Sequence, residues 1–156
     1  FLTRRVWNLV TPPMVLENFM TSLAGQTFQL FGQQADFQAR YITIGNGSVE
    51  VGPGCSGFDM MISVSAIAVL FGLVYKQSWG KIFTATLIGI VMAIFINVPR
   101  VMLLAHVVGY YSDAVFDFWH GPWGGQIFMA ILFTPYYYLM MAIYNHQSKP
   151  HISSRG

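Results

Sequence analysis

Charged side chains are what this sequence has least of. Only 9% of its 156 residues are Asp, Glu, Lys or Arg, against about 25% in an ordinary soluble domain. That deficit places the chain in the membrane class. Its net charge of +2 is small and scattered, so no nucleic-acid partner is expected. Cysteine is nearly absent. With Cys55 alone, the chain can close no internal disulfide and build no multi-cysteine zinc site. Internal repeats and low-complexity tracts are missing as well.

What is there is apolar. Hydrophobic residues make up 54% of the chain, and the mean hydropathy is +0.52. Three stretches are long enough to span a bilayer: Phe58 to Tyr75, Ile82 to Tyr111 and Trp123 to Tyr144. A hydrocarbon core of ~30 Å needs ~20 helical residues. Tyrosines end each stretch, and Trp79, Trp119 and Trp123 also fall at boundaries, as in an aromatic belt. Residues 14–31, after Pro12-Pro13, are apolar at Leu16, Phe19, Met20, Leu23, Phe28 and Phe31 but interrupted by Glu17, Gln26 and Gln29, which predicts an amphipathic helix lying in the interface, or a weak span. Tyr41 to Ile44 and Val49 to Val51 flank Gly45-Asn-Gly-Ser48, which predicts a β-hairpin over 41–51. The expected fold is therefore an all-α polytopic membrane protein with three transmembrane helices, an N-terminal interfacial helix and a short outward-facing β-hairpin. Residues 1–144 form one membrane domain, and 145–156 form a polar tail.

The loops set the orientation. Lys76, Lys81, Lys149 and Arg155 lie on one side, while Asp36, Glu50, Asp113 and Asp117 lie on the other. Lysine and arginine mark the cytoplasmic side, so residues 33–57 and 112–122 face outward.

Three residues could carry chemistry. Cys55 lies in Gly52-Pro-Gly-Cys-Ser-Gly57, where the hairpin gives way to the first span. Ser56 and Asp59 have capping-box spacing, which starts the helix at Ser56. A thiol at a helix N-terminus meets free amide N–H groups and a positive dipole end, which favour thiolate. A small buried cysteine fits the position equally well. Arg100, in Asn97-Val-Pro-Arg100, follows Lys81 by roughly 28 Å of helix, near the outer boundary. An ionisable residue in a span is costly and has a partner or a function, unless it snorkels. Pro99 frees a backbone group that Asn97 could satisfy. His120, in Trp119-His-Gly-Pro-Trp-Gly-Gly125, opens the third span, where a structural histidine is the commoner case. His106 reads as packing or a polar contact. Four histidines spread over both faces make no metal site, and no cofactor is expected. Convergence strengthens the case, because one Cys, one Arg and one His arrive at the same outer leaflet. Thiol and histidine form a recurrent nucleophile pair, and arginine can hold an oxyanion. A transporter or assembly subunit using Arg100 and His106 as intramembrane contacts is the rival reading.

The hairpin leading into Val51-Gly-Pro-Gly-Cys-Ser-Gly57, then Asn97-Val-Pro-Arg100, then His120 followed by Gly124 and Phe128, resembles the exosortase/archaeosortase family. The resemblance runs from about Pro13 to Phe133. It implies a multi-pass enzyme of the cytoplasmic membrane, a cysteine transpeptidase or protease whose site faces outward. It implies that Cys55 is the nucleophile, Arg100 the oxyanion or substrate-positioning group, and His120 the acid/base, with Asn97, Ser56 and Gly57 in support. Its substrates are secreted proteins ending in a sorting motif, a transmembrane helix and a basic cluster. The family also carries further helices upstream, so this chain reads as an N-terminally short or truncated member.

The orientation is open to test. A cysteine placed at Asn46 in a Cys55→Ala background should react with an impermeant maleimide in intact cells. Labelling at Ser78 instead would invert the topology.

Overall fold

The computed structural model of the chain describes residues 14–52 and 54–145. Pro12-Pro13 and nearly all of the expected tail fall outside the described residues. Along the chain come α1 (Val15–Leu30), β1 (Asp36–Gln38), β2 (Tyr41–Ile44), β3 (Gly47–Glu50), α2 (Phe58–Val74), α3 (Trp79–Tyr110), α4 (Asp113–His120) and α5 (Pro122–Asn145).

Helix α3 is the spine. Its 32 residues give roughly 48 Å, well beyond a ~30 Å hydrocarbon core. Helix α5 has 24 residues, and both helices are long and apolar enough to cross a membrane. Three spans were expected, and the first is a shorter apolar helix: α2 has only 17 residues, with Asp59 in its first turn. Its end is set locally. Lys76 takes a left-handed φ of 50°, while Gln77 donates to the Gly72 carbonyl at 2.8 Å and Lys76 to Leu73 at 3.1 Å. That pair of bonds is a Schellman stop, here without the glycine that usually marks one. The expected loop 76–81 shrinks accordingly, because Trp79, Gly80 and Lys81 are already helical in α3.

Two cores divide the molecule along α3. The first joins α2, the early part of α3 and α5 through Met60, Val64, Ala68, Ala85, Ala93, Leu132, Tyr136, Met140 and Tyr144. Without a hydrophobic drive between helices in lipid, close packing and buried hydrogen bonds hold such a bundle. Tyr144 Oη donates to the Ala68 carbonyl at 2.7 Å, and Tyr136 Oη reaches the Ala85 carbonyl at 3.2 Å. The Tyr136 ring lies against Gly89, where a Cβ would come within 2.8 Å of it. Lys81 Nζ donates to the Tyr144 carbonyl at 2.9 Å. That bond brings the lysine loop and the end of α5 together, the two places expected on one side.

The second core gathers α1, the sheet and the later part of α3. Met20, Ala24 and Phe28 meet Ile42, Ile44, Val49 and Val51, with Val98, Val101, Leu104 and Ala105 beneath them. Helix α1 matches the expected amphipathic segment, but only part of its apolar set turns inward. Phe19, Leu30 and Phe31 stay exposed.

The hairpin is larger than expected. Strands β2 and β3 pair antiparallel with Ile44 opposite Gly47, and β1 adds a third strand in the order β1-β2-β3. Its turn is Gly45-Asn46, with Gly45 at φ 59°, the glycine-first arrangement of two-residue hairpins. The tip rests on α3. A Cβ at Gly47 would lie 2.5 Å from the Val108 carbonyl oxygen, and one at Gly109 2.6 Å from that of Ile44.

Residues 112–122, expected as an outward loop, instead hold α4. Phe116 and Trp119 on one side of this short helix pack against the second core.

Candidate active site

Strand β3 leads straight into the cysteine loop. Val51 N–H donates to the Arg40 carbonyl at 2.7 Å, the last rung of the sheet, and Cys55 N–H then closes a turn onto the Gly52 carbonyl at 2.9 Å. Cys55 itself is buried, at 3% exposure. Gly57 starts α2 with a left-handed φ of 78°, a conformation that strains any residue with a Cβ. Space demands glycine there too, since a Cβ would sit 3.0 Å from the Asn97 amide. The expected capping box does not form. The cap is Gly57, which has no side chain to offer the first turn of α2, and Ser56 is buried just before it.

The other half of the site comes from one turn of α3. Asn97 and Arg100, three residues apart, share a face, while Pro99 between them is exposed. Asn97 Nδ2 donates to the Cys55 carbonyl at 2.8 Å, and Arg100 Nη1 donates to the Gly54 carbonyl at 3.1 Å. Asn97 was expected to repair its own helix at Pro99. It holds the cysteine loop instead, through a bond to a buried loop carbonyl. Both side chains are buried, Asn97 completely and Arg100 at 7% exposure. Asn97 Oδ1 and Arg100 Nε have no hydrogen-bond partner among the described residues. A guanidinium with an open N–H therefore stands beside the thiol.

The thiol is neutral at rest. Burial pushes its pKa up, and the positive charge of Arg100 pulls it only part of the way back. The helix N-terminus led to the opposite expectation, but loss of solvent outweighs it here.

His120 is not hydrogen-bonded into this cluster. It is the last residue of α4, exposed, with its ring stacked on Phe116 at 5.1 Å between centroids and 16° between planes. Among the described residues it forms no hydrogen bond to Cys55 or Arg100. The connection is indirect, since Phe116 packs on the same core that contains Cys55. His106 has a packing role, with its ring 4.8 Å from that of Tyr110. His146 and His151 lie outside the described residues. Among the described residues, no group of His, Cys, Asp and Glu could hold a metal ion.

A family model described as transmembrane exosortase (Exosortase_EpsH) matches residues 2–137. The chain belongs to the transmembrane exosortase family. The match takes in the whole Cys55 loop, the Asn97–Arg100 turn and His120, so the exosortase resemblance read from three short segments holds over most of the chain. It also supports reading the apolar helices as those of a membrane protein. No curated protein and no solved structure matches the chain.

The state of the thiol can be measured. Alkylation of Cys55 by iodoacetamide in the purified protein should be slow at neutral pH and should rise through a midpoint above that of an ordinary thiol. Arg100→Gln should move the midpoint further up, because the guanidinium favours the thiolate. A midpoint below the ordinary thiol range would contradict the burial argument.

Proposed function

We propose that this exosortase-family protein is a cysteine peptidase or transpeptidase. It acts at the outer face of the cytoplasmic membrane on exported proteins bearing a C-terminal sorting motif, a transmembrane helix and a basic cluster. The observation that carries the reading is the pair of bonds from Asn97 and Arg100 to the carbonyls that flank the Cys55 amide. They hold a single buried thiol next to a guanidinium with an unused donor.

The chemistry follows from that arrangement. Because the resting thiol is protonated, its proton passes to His120 once bound substrate brings the imidazole within hydrogen-bond reach. Catalytic contacts often tighten in this way only in the Michaelis complex. Cys55 Sγ then forms a bond to the scissile carbonyl carbon, and the oxyanion that develops accepts hydrogen bonds from Arg100. His120 returns the proton to the leaving nitrogen, the C–N bond breaks, and a thioester remains on Cys55. An amine resolves it to a new peptide bond, or water to a free acid. A transporter or assembly subunit has less support. Its binding site would lie near the bilayer midplane, whereas Asn97 and Arg100 lie roughly 27–32 Å along α3 from Trp79.

The test is the ratio of uncleaved to cleaved substrate in cells, with membrane levels of each variant matched. Cys55→Ala should abolish processing, because a methyl group cannot form a thioester. Arg100→Lys should lower it by ~10²–10³, since lysine keeps the charge but not the planar fork. His120→Ala should block turnover, while His106→Ala stays near wild type. Wild-type processing by Cys55→Ala would end the enzymatic reading.

A further inference from the structure

The sheet has two edges. At β1, the Phe37 side chain is pressed against Gly25 of α1, so a helix lies against the face of that strand. Strand β3 has β2 and α3 as its principal neighbours, and α3 lies on its face. Gly47 meets Val108 there, and Val49 points inward with Ile42 and Ile44. Nothing among those contacts lies along the outer edge of β3.

The direction of each backbone group on that edge follows from the register. In an antiparallel pair, bonded and non-bonded positions alternate. The two-residue turn makes Ile44–Gly47 a bonded pair, so Ile42–Val49 is bonded as well, and the observed Val51–Arg40 bond continues the series. Ser48 and Glu50 therefore direct their N–H and C=O groups away from β2. The Glu50 carbonyl is taken by Gly52 N–H at 2.9 Å. The N–H and C=O of Ser48 and the N–H of Glu50 have no partner among the described residues, and both side chains are exposed. Proline and lysine, which commonly blunt such an edge, are absent from β3.

We infer that the free edge of β3 is the docking site for the substrate polypeptide, which binds as a fourth strand and is thereby aimed at Cys55. The inference rests on the peptidase reading and adds how the substrate is held. Donors and acceptors on the edge repeat every two residues, about 6.8 Å apart, and an extended peptide backbone is the ligand whose own groups repeat at that interval. The edge is also continuous with the nucleophile. Five residues separate Glu50 from Cys55, a reach of at most ~18 Å, so the paired stretch lies within about five residues of the scissile bond. Pairing through the main chain tolerates varied side chains at those positions.

The experiment follows processing at increasing expression of a tagged exported substrate, in wild type, Ser48→Pro, Thr43→Ala and Cys55→Ala. Proline deletes the outward N–H of Ser48 but no bond of the β2–β3 ladder, as edge positions allow. Thr43→Ala removes the side-chain bond between Thr43 Oγ1 and Ser48 Oγ at 3.1 Å without touching the edge. Ser48→Pro should lower processing roughly threefold to tenfold at limiting substrate, the worth of about one net hydrogen bond. Raised substrate should restore it, and Thr43→Ala should match wild type. Should Ser48→Pro be lost from the membrane, replacing Ser48 by its α-hydroxy acid in cell-free synthesis swaps only the N–H for an ester oxygen, with the same expected result. Wild-type processing by the edge variant, or a loss that substrate does not rescue, overturns edge docking while Cys55→Ala remains inactive. Activity in Cys55→Ala overturns the peptidase reading and the docking with it.

Discussion

Everything near the candidate site depends on two hydrogen bonds from one helical turn, those from Asn97 to the Cys55 carbonyl and from Arg100 to the Gly54 carbonyl. They fasten the glycine-rich cysteine loop to the longest helix of the molecule. They also sit where the two cores meet. Val98 and Val101 belong to the sheet-side core, whereas Ala93 belongs to the helical bundle. An unbonded buried carbonyl costs about 1–3 kcal/mol, so the loop and the turn of α3 require each other. Gly57 is part of the same constraint, because a Cβ there would crowd the Asn97 amide at 3.0 Å on top of the strain of a left-handed φ.

The arrangement has a chemical consequence. The loop buries the thiol, and there the neutral form is favoured despite the nearby guanidinium. A thiol kept protonated is protected from alkylation and oxidation, which act on the thiolate. On the proposed mechanism it becomes a nucleophile only when substrate brings His120 to it. The exposed position of His120 on a short helix, stacked on Phe116, leaves its ring free to leave that contact. In the same proposal, the unpartnered Nε of Arg100 is the donor for charge that develops on the substrate.

Much of this was legible in the residues. Cys55 stood out as the lone thiol between a hairpin and an apolar helix, and Arg100 as a charge inside an apolar run. The long helices followed from their hydrophobic length, apart from α2. That helix ends within one residue of the expected stretch, at a left-handed Lys76 where sequence patterns would put glycine, and its 17 residues are fewer than a span usually has. Strand β1 and helix α4 have three and eight residues, too few to show a period. Tertiary packing defines both, through Phe37 on α1 and through Phe116 and Trp119 on the sheet-side core. Ser56 and Asp59 had the spacing of a capping box, but the left-handed Gly57 moved the cap by one residue. The role of Asn97 was misplaced for a related reason. A proline nearby suggested a local repair, while its acceptor lies 42 positions away in sequence.

Asn97 fastens the Cys55 loop to α3. The most direct test of that role is the alkylation rate of Cys55 in Asn97→Leu, measured on purified protein at a fixed pH beside wild type. Leucine fills the same space but strands the Cys55 carbonyl, at a cost of about 1–3 kcal/mol, and so releases the loop toward solvent. The account predicts alkylation faster by roughly tenfold, with the helical content of the protein retained. An unchanged rate would mean that Cys55 is held without Asn97, and that the central constraint has been placed on the wrong residue.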